Sequence, residues 1–199
     1  MASQVSLEKI DQHKDMLANI DALGQPTACA RFMGGREFET ICEKTGASLT
    51  DQFNESDLQN VINHEVFALP DFSKGSGPFG GKNGRIKGAV NNVSGIALAS
   101  LYCALMIDYQ LDMLGAKGDI FIEGTFLKNP LLCATLNQLR SEQTVFISND
   151  ATGTVQGAAC LTQWDNKDFN LNTSKSKICE LTNLINYKNK WRNLADSIN

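Results

Sequence analysis

Proline is scarce in this chain, at four in 199 residues, and histidine is scarcer, at two. Neither His13 nor His64 has a partner at ligand spacing. The six cysteines (Cys29, Cys42, Cys103, Cys133, Cys160, Cys179) include no C-x-x-C pair. A zinc centre needs clustered Cys or His, so none is predicted, and the cysteines read as buried thiols. A basic block is also missing. Lys and Arg number 18 against 22 Asp and Glu, giving a net charge of −4. That balance argues against nucleic acid and against an anionic membrane, both of which need a basic face. The longest nearly apolar run, Val93 to Ile107, stops at Asp108, short of the roughly 20 residues that span a bilayer. The opening MASQVSLEKIDQHKD lacks the apolar core of a signal peptide, so the sequence reads as cytoplasmic with no membrane partner. No repeat of solenoid length and no low-complexity tract is present. What remains, 42% hydrophobic and 20% charged residues, is ordinary for one globular domain.

Along the chain, residues 1–24 read as a polar lead-in ending at Gly24. Thr27 to Met33 fits a strand, Gly34-Gly35 a turn, and Arg36 to Lys44 a short helix closed by Gly46. Asn54 caps a second helix, with Leu58, Val61 and Ile62 at helical spacing. Val66 to Leu69 fits a strand that stops at Pro70. The longest helix is capped by Asn92 or Ser94 and closed by Gly115, with Ile96, Ala97, Leu101, Ala104, Leu105, Leu111 and Leu114 on one broad face. The pattern then alternates: a buried strand over Asp119 to Ile122, a helix over Pro130 to Arg140, a strand over Thr144 to Ser148, a helix over Val155 to Gln163. Such alternation predicts crossover units and an at least partly parallel sheet. Residues 165–175 read as a polar linker. Ser176 to Ser197 reads as a closing amphipathic helix with Ile178, Leu181, Leu184, Ile185, Trp191 and Leu194 inward.

Two stretches invite a phosphate or nucleotide. GSGPFGGKNG, from Gly75 to Gly84, has five glycines in ten residues. It approaches the GxxxxGK[ST] loop, but Ser76 replaces the first glycine and Asn83 the metal-binding hydroxyl. Pro78 removes a backbone N–H and no helix follows directly, so this stretch is predicted to be a flexible surface link. The second stretch, Gly118 to Arg140, reads GDIFIEGTFLKNPLLCATLNQLR. A strand ends at Ile122, Glu123-Gly124-Thr125 turns, Asn129 caps and Pro130 opens a helix. Helix N–H groups at the carboxyl end of a strand are where α/β sheets take anions and nucleotides. Gly124 lets a ligand approach the backbone. The same turn also serves simply to connect two elements, and a plain α/β domain without a nucleotide site fits the pattern too. In ISNDATGTVQGAACL, Gly157-Ala158-Ala159 suggests close helix–sheet packing.

These residues resemble a family. DIFIEGTFLKNPLL, ISNDATGTVQGAACL, and DMLANIDALGQPTACARFMGGREFE with LPDFSKGSGPFGG are similar to segments of the C-terminal lobe of the FGGY carbohydrate kinases, and their order along the chain matches. The last two are nearest the rhamnulose and fuculose kinase branch. The resemblance implies an α/β fold, an actin-like ATPase (ribonuclease H-like) lobe with a mixed sheet flanked by helices, spanning 1–199. It implies ATP or ADP as ligand, with Mg²⁺ held mainly by an N-terminal lobe not found in this sequence. That lobe would also supply the sugar contacts and the catalytic aspartate, so no catalytic residue is expected here and the isolated chain is expected to be inactive. Gly124, Thr125 and Asn129 match the nucleotide-contacting turn, with Lys128 their neighbour. Glu123 departs from the family, which usually has glycine there, and so puts the shape of the adenine pocket in question. A lobe facing water where its partner lay would self-associate. The alternative is a truncated, non-catalytic kinase-like module.

Overall fold

A computed structural model, describing residues 2–3, 7, 10–149, 153–162, 164 and 172–197, is organised around helix α3, Gly95–Met113. Ser94 caps it by accepting the Ala97 N–H at 3.4 Å. The apolar stripe in the sequence predicts one buried face, but α3 is buried all round, including Ser100, Asp108 and Gln110. By length and composition this helix is apolar enough to cross a membrane. Here its apolar surface is covered by other elements of the fold.

Helix α1, Gly34–Thr45, packs along α3. Gly34 and Gly35 form its first turn rather than a loop. At Gly34 a Cβ would lie 2.4 Å from the Phe126 ring and 2.7 Å from Phe32, so only glycine lets α1 approach this closely. Helix α2, Glu55–Asn63, opens with a full capping box: Asn54 accepts from Ser56 N–H, and Asp57 accepts the Asn54 N–H at 2.8 Å.

Strands β2 (Met16–Ile20) and β3 (Pro26–Ala30) form an antiparallel hairpin, with β1 (Ala2–Ser3) on the far side of β3. The stretch read as a polar lead-in therefore contains two strands, β1 and β2. β4 (Phe67–Leu69) pairs antiparallel with β5 (Arg85–Lys87) and brackets the glycine-rich stretch. That stretch is folded onto the core rather than free. Asp71 accepts the N–H and hydroxyl of Ser73 and the N–H groups of Gly75 and Gly81, while Asp15 accepts the Gly77 N–H at 2.8 Å. Phe79 is buried beside Tyr109 and Trp191. Backbone donors that would cradle a phosphate already serve two carboxylates, which rules this loop out as a phosphate nest.

The third sheet is mixed. β6 (Ile120–Ile122) runs parallel to β7 (Val145–Ser148) across the crossover helix α4, Pro130–Leu139. β8 (Thr173–Lys175) pairs antiparallel with β7, so the end of the expected linker is a strand; residues 165–171 lie outside the described residues. Phe121, expected in a buried strand, is exposed, stacked on Phe146. Helix α5, Gly153–Thr162, leaves Gly157, Ala158 and Ala159 exposed, contrary to the close packing expected of them.

The closing helix α6, Leu184–Asp196, is shorter than the predicted 176–197 because Asn183 takes a left-handed conformation just before it. Residues 176–183 instead tie down the sheet and α4, with Ser176 N–H bonded to Val145 O and Cys179 N–H to Ala134 O. Ile178 and Ile185, expected inward, point out; Leu184, Tyr187, Trp191 and Ala195 are the buried side chains of α6. Trp191 donates its indole N–H to Ala68 O at 2.7 Å. An ionic cluster locks α3 to α4 and α6: Asp108, fully buried, meets Arg140, Lys188 and Arg192, while Asp112 pairs with Arg140 and Arg192. The thiols of Cys42, Cys103, Cys133 and Cys179 are buried, those of Cys29 and Cys160 partly so, and all six cysteines are free.

Candidate functional site

After β6 the chain makes a 3₁₀ turn, Gly124–Lys128, then enters α4. Asn129 fixes this junction from both ends of its amide. Oδ1 accepts the Leu132 N–H at 3.0 Å, capping α4, and Nδ2 donates to Ser100 Oγ at 2.7 Å, tying the turn to α3. Pro130 sits at the first position of the helix, where its missing N–H does no harm. Replacing Asn129 by Ala should cost about 1–2 kcal/mol. Thermal denaturation should show a midpoint lower by roughly 2–8 °C; an unchanged midpoint would mean the cap is dispensable.

This junction forms one wall of a cleft of about 650 Å³. Thr125, Phe126, Lys128, Asn129 and the start of α4 line that wall. Opposite stand Gly35, Phe38 and Glu39 from α1 and Leu49, Asp51, Gln52 and Phe53 from the α1–α2 connection, with Ile96 of α3 at the base. Phe38, Phe53, Phe126 and Leu131 give it flat apolar walls. Glu39, Asp51, Thr125 and Lys128 supply a few polar groups at the rim. A mostly apolar slot of this volume with sparse polar anchors is the usual form of a small-molecule site. The first turn of α1 opens here with no side chain capping it, so its N–H groups and dipole add a positive bias.

The structure thus brings Thr125, Asn129 and Lys128 together on one cleft. Gly124 does not line it. Its φ of +80° explains why glycine stands there, and open space surrounds it. Glu123 does not line it either. Its carboxylate lies against the start of α5, where a Cβ on Gly153 would be 1.9 Å from Oε1. The opposite wall, from Gly35 to Phe53, is absent from the sequence-based site. The only signal for it was the Gly34-Gly35 pair, read there as a turn. Neither Arg31 nor Arg36, which flank that pair, lines the cleft; Arg31, largely exposed, pairs with Asp15. Burial works against ionisation of Asp15, yet the hydrogen bonds from Arg31 and the Gly77 N–H hold its carboxyl below the ordinary value. Among the described residues no group of three His, Cys, Asp or Glu side chains is placed to hold a metal ion.

Comparison with known proteins gives the cleft its context. A carbohydrate kinase from Novosphingobium aromaticivorans has a TM-score of 0.81 and 27% identity over 98% of this chain and 42% of its own. The xylulose kinase of Rhodospirillum rubrum (TM-score 0.65, 12% identity) and the Plasmodium falciparum glycerol kinase solved with ADP (0.60, 15%) share the fold; each match covers 92% of this chain and 42% of the other. The chain therefore spans less than half the length of these kinases. Among curated proteins, none matches the sequence. The family description for the C-terminal domain of FGGY carbohydrate kinases matches residues 1–170, and with the mixed sheet and helices of that actin-like fold in place, the chain belongs to this family as its C-terminal domain.

Proposed function

We propose that this domain binds the adenosine part of ATP or ADP in the cleft between α1 and the turn before α4, and serves a kinase that transfers the γ-phosphoryl group to a sugar hydroxyl. The observation that carries this reading is the convergence of Thr125, Lys128 and Asn129 with the uncapped start of α1 around one apolar slot. A purine fits between Phe38, Phe53 and Phe126. Lys128 and the α1 N-terminus favour phosphates at the rim. Asn129, with its amide already committed to Leu132 and Ser100, shapes the wall rather than reading the ligand. The cleft residues fit a nucleotide, and Glu39 and Asp51 are the carboxylates that line it. The metal, the base for the hydroxyl and the sugar contacts would come from the part of such kinases beyond this chain, and the isolated domain would bind without transferring phosphate. The spelling from Ala30 to Glu39 supports a sugar kinase near the rhamnulose and fuculose branch.

Titrating the chain with Mg-ADP in a calorimeter tests this reading. Saturable binding weakened severalfold in Lys128→Ala supports it; no heat up to millimolar ADP would overturn it for the domain alone. The same reading carries a partner. Phe121 on β6 and Val155 and Leu161 on α5 expose apolar surface, which in water favours self-association. Sedimentation should show dimers or larger species as concentration rises, and a single monomer across the whole range would contradict it.

A further inference from the structure

Glu37 lies on the first turn of α1, between cleft-lining Gly35 and Phe38, but faces the opposite way, into the core, and is 1% exposed. Its Oε2 accepts the hydroxyl of Tyr102 from α3 and the Phe72 N–H, at 3.3 Å, from the glycine-rich loop. The Phe72 ring stands edge-on to Tyr102 at 5.4 Å. The titratable groups that face this carboxyl are Tyr102 and Cys103 on α3 and Asp71 in the loop. None is a cation, and among the described residues no lysine or arginine pairs with it. Burial, reinforced by the Asp71 charge, pushes the carboxyl up to about 7 against the pull of the two hydrogen bonds.

We propose that Glu37 is a proton-operated latch: protonated, it holds the 71–84 loop closed over α1 and α3, and ionised, it lets that loop go. A buried anion without a cation needs water. α1 and α3 have closed hydrogen-bond ladders and pack on each other, so they resist opening. The loop has no ladder of its own. It is pinned by the Asp71 carboxylate, by Asp15 on the Gly77 N–H and by Phe72 on Glu37. Lifting Phe72 is the cheapest route for water to reach the carboxylate, and it carries the Asp71 hub and Phe79 with it. The sign follows from linkage. The closed state holds its proton more tightly than an open, solvated carboxyl, so closure is favoured fully below the ordinary value of 4.5 and weakens as pH rises towards about 7.

Hydrogen exchange on the whole chain tests this directly, at about pH 6 and about pH 8.5, with rates corrected for intrinsic pH dependence. With 4.5 for the open carboxyl and about 7 for the closed one, opening of the loop should increase about tenfold between those conditions. The increase should be confined to amides such as Phe72, Gly75, Gly77 and Gly81, and Glu37→Gln should abolish it. Equal corrected rates at both pH values in the wild type would overturn the latch. So would an acceleration shared equally by α3 amides, or one that persists in Glu37→Gln. Should that variant fail to fold, the wild-type comparison of loop against α3 decides by itself.

Discussion

Asp108→Ala should destabilise the domain by about 3–5 kcal/mol, the loss typical when one member of a buried ionic cluster is removed. Asp108 is fully buried, and three cations converge on it: Arg140 with a side chain 9% exposed, Lys188 at 16% and Arg192 at 25%. The damage lies less in the attraction lost than in the charge left behind. Without Asp108 these cations crowd together in a largely dry setting, with only half-exposed Asp112 to answer Arg140 and Arg192. Asn at this position keeps the shape but not the charge, so it should recover little. Because Asp108 joins α3 to α4 and α6, the loss should appear as a lower midpoint of the whole denaturant transition rather than as local fraying. A change below about 1 kcal/mol would mean that the cluster is solvated like a surface pair. Acid should reproduce part of the effect. Burial opposes the charge on Asp112, but Arg140 and Arg192 hold its carboxyl below the ordinary 3.8. Its contribution is therefore present above that value and lost as pH falls through the lower, folded one.

The elements legible in the sequence are those whose ends are written in single residues. Asn54 with Asp57, Ser94, and Asn129 with Pro130 each mark a helix start that the structure keeps. The parallel pairing of β6 with β7 followed from strand–helix–strand order. Elements fixed by tertiary contact were not legible. Gly34-Gly35 has the composition of a turn, but lies in a helix because Phe126, some 90 residues away in sequence, packs against Gly34. β8 has no apolar alternation and exists because β7 offers it an edge. The glycine-rich loop reads as mobile only while its acceptors, Asp71 and Asp15, are out of view. The cleft failed in the same way. One wall could be read locally from a strand, a turn and a cap. The other comes from residues 35–53, distant in sequence and brought to the first by the packing of α1 on α3 and of Phe126 on Gly34.

Gly35→Leu should sharply weaken nucleotide binding while leaving the fold intact, and it separates a blocked site from a distorted one. Gly35 lines the cleft, and a Cβ built on it meets no atom within 4 Å. Leucine is also a better helix former than glycine by roughly 0.5–1 kcal/mol, so the variant should denature no earlier than the wild type. Its isobutyl group would enter the cleft proposed to take the purine. Affinity for Mg-ADP should fall by about a hundredfold, roughly 2.7 kcal/mol. Gly124→Val is the more obvious choice from the sequence and the poorer one. Gly124 has φ of +80° with open space around it, so valine would block nothing directly. It would instead impose backbone strain of about 1–3 kcal/mol and shift the turn carrying Thr125 and Lys128. Loss of binding in that variant reports a moved wall. Loss of binding in Gly35→Leu with an unchanged denaturation midpoint reports an occupied slot. If Gly35→Leu binds Mg-ADP as well as the wild type does, the nucleotide lies elsewhere and the cleft is not its site.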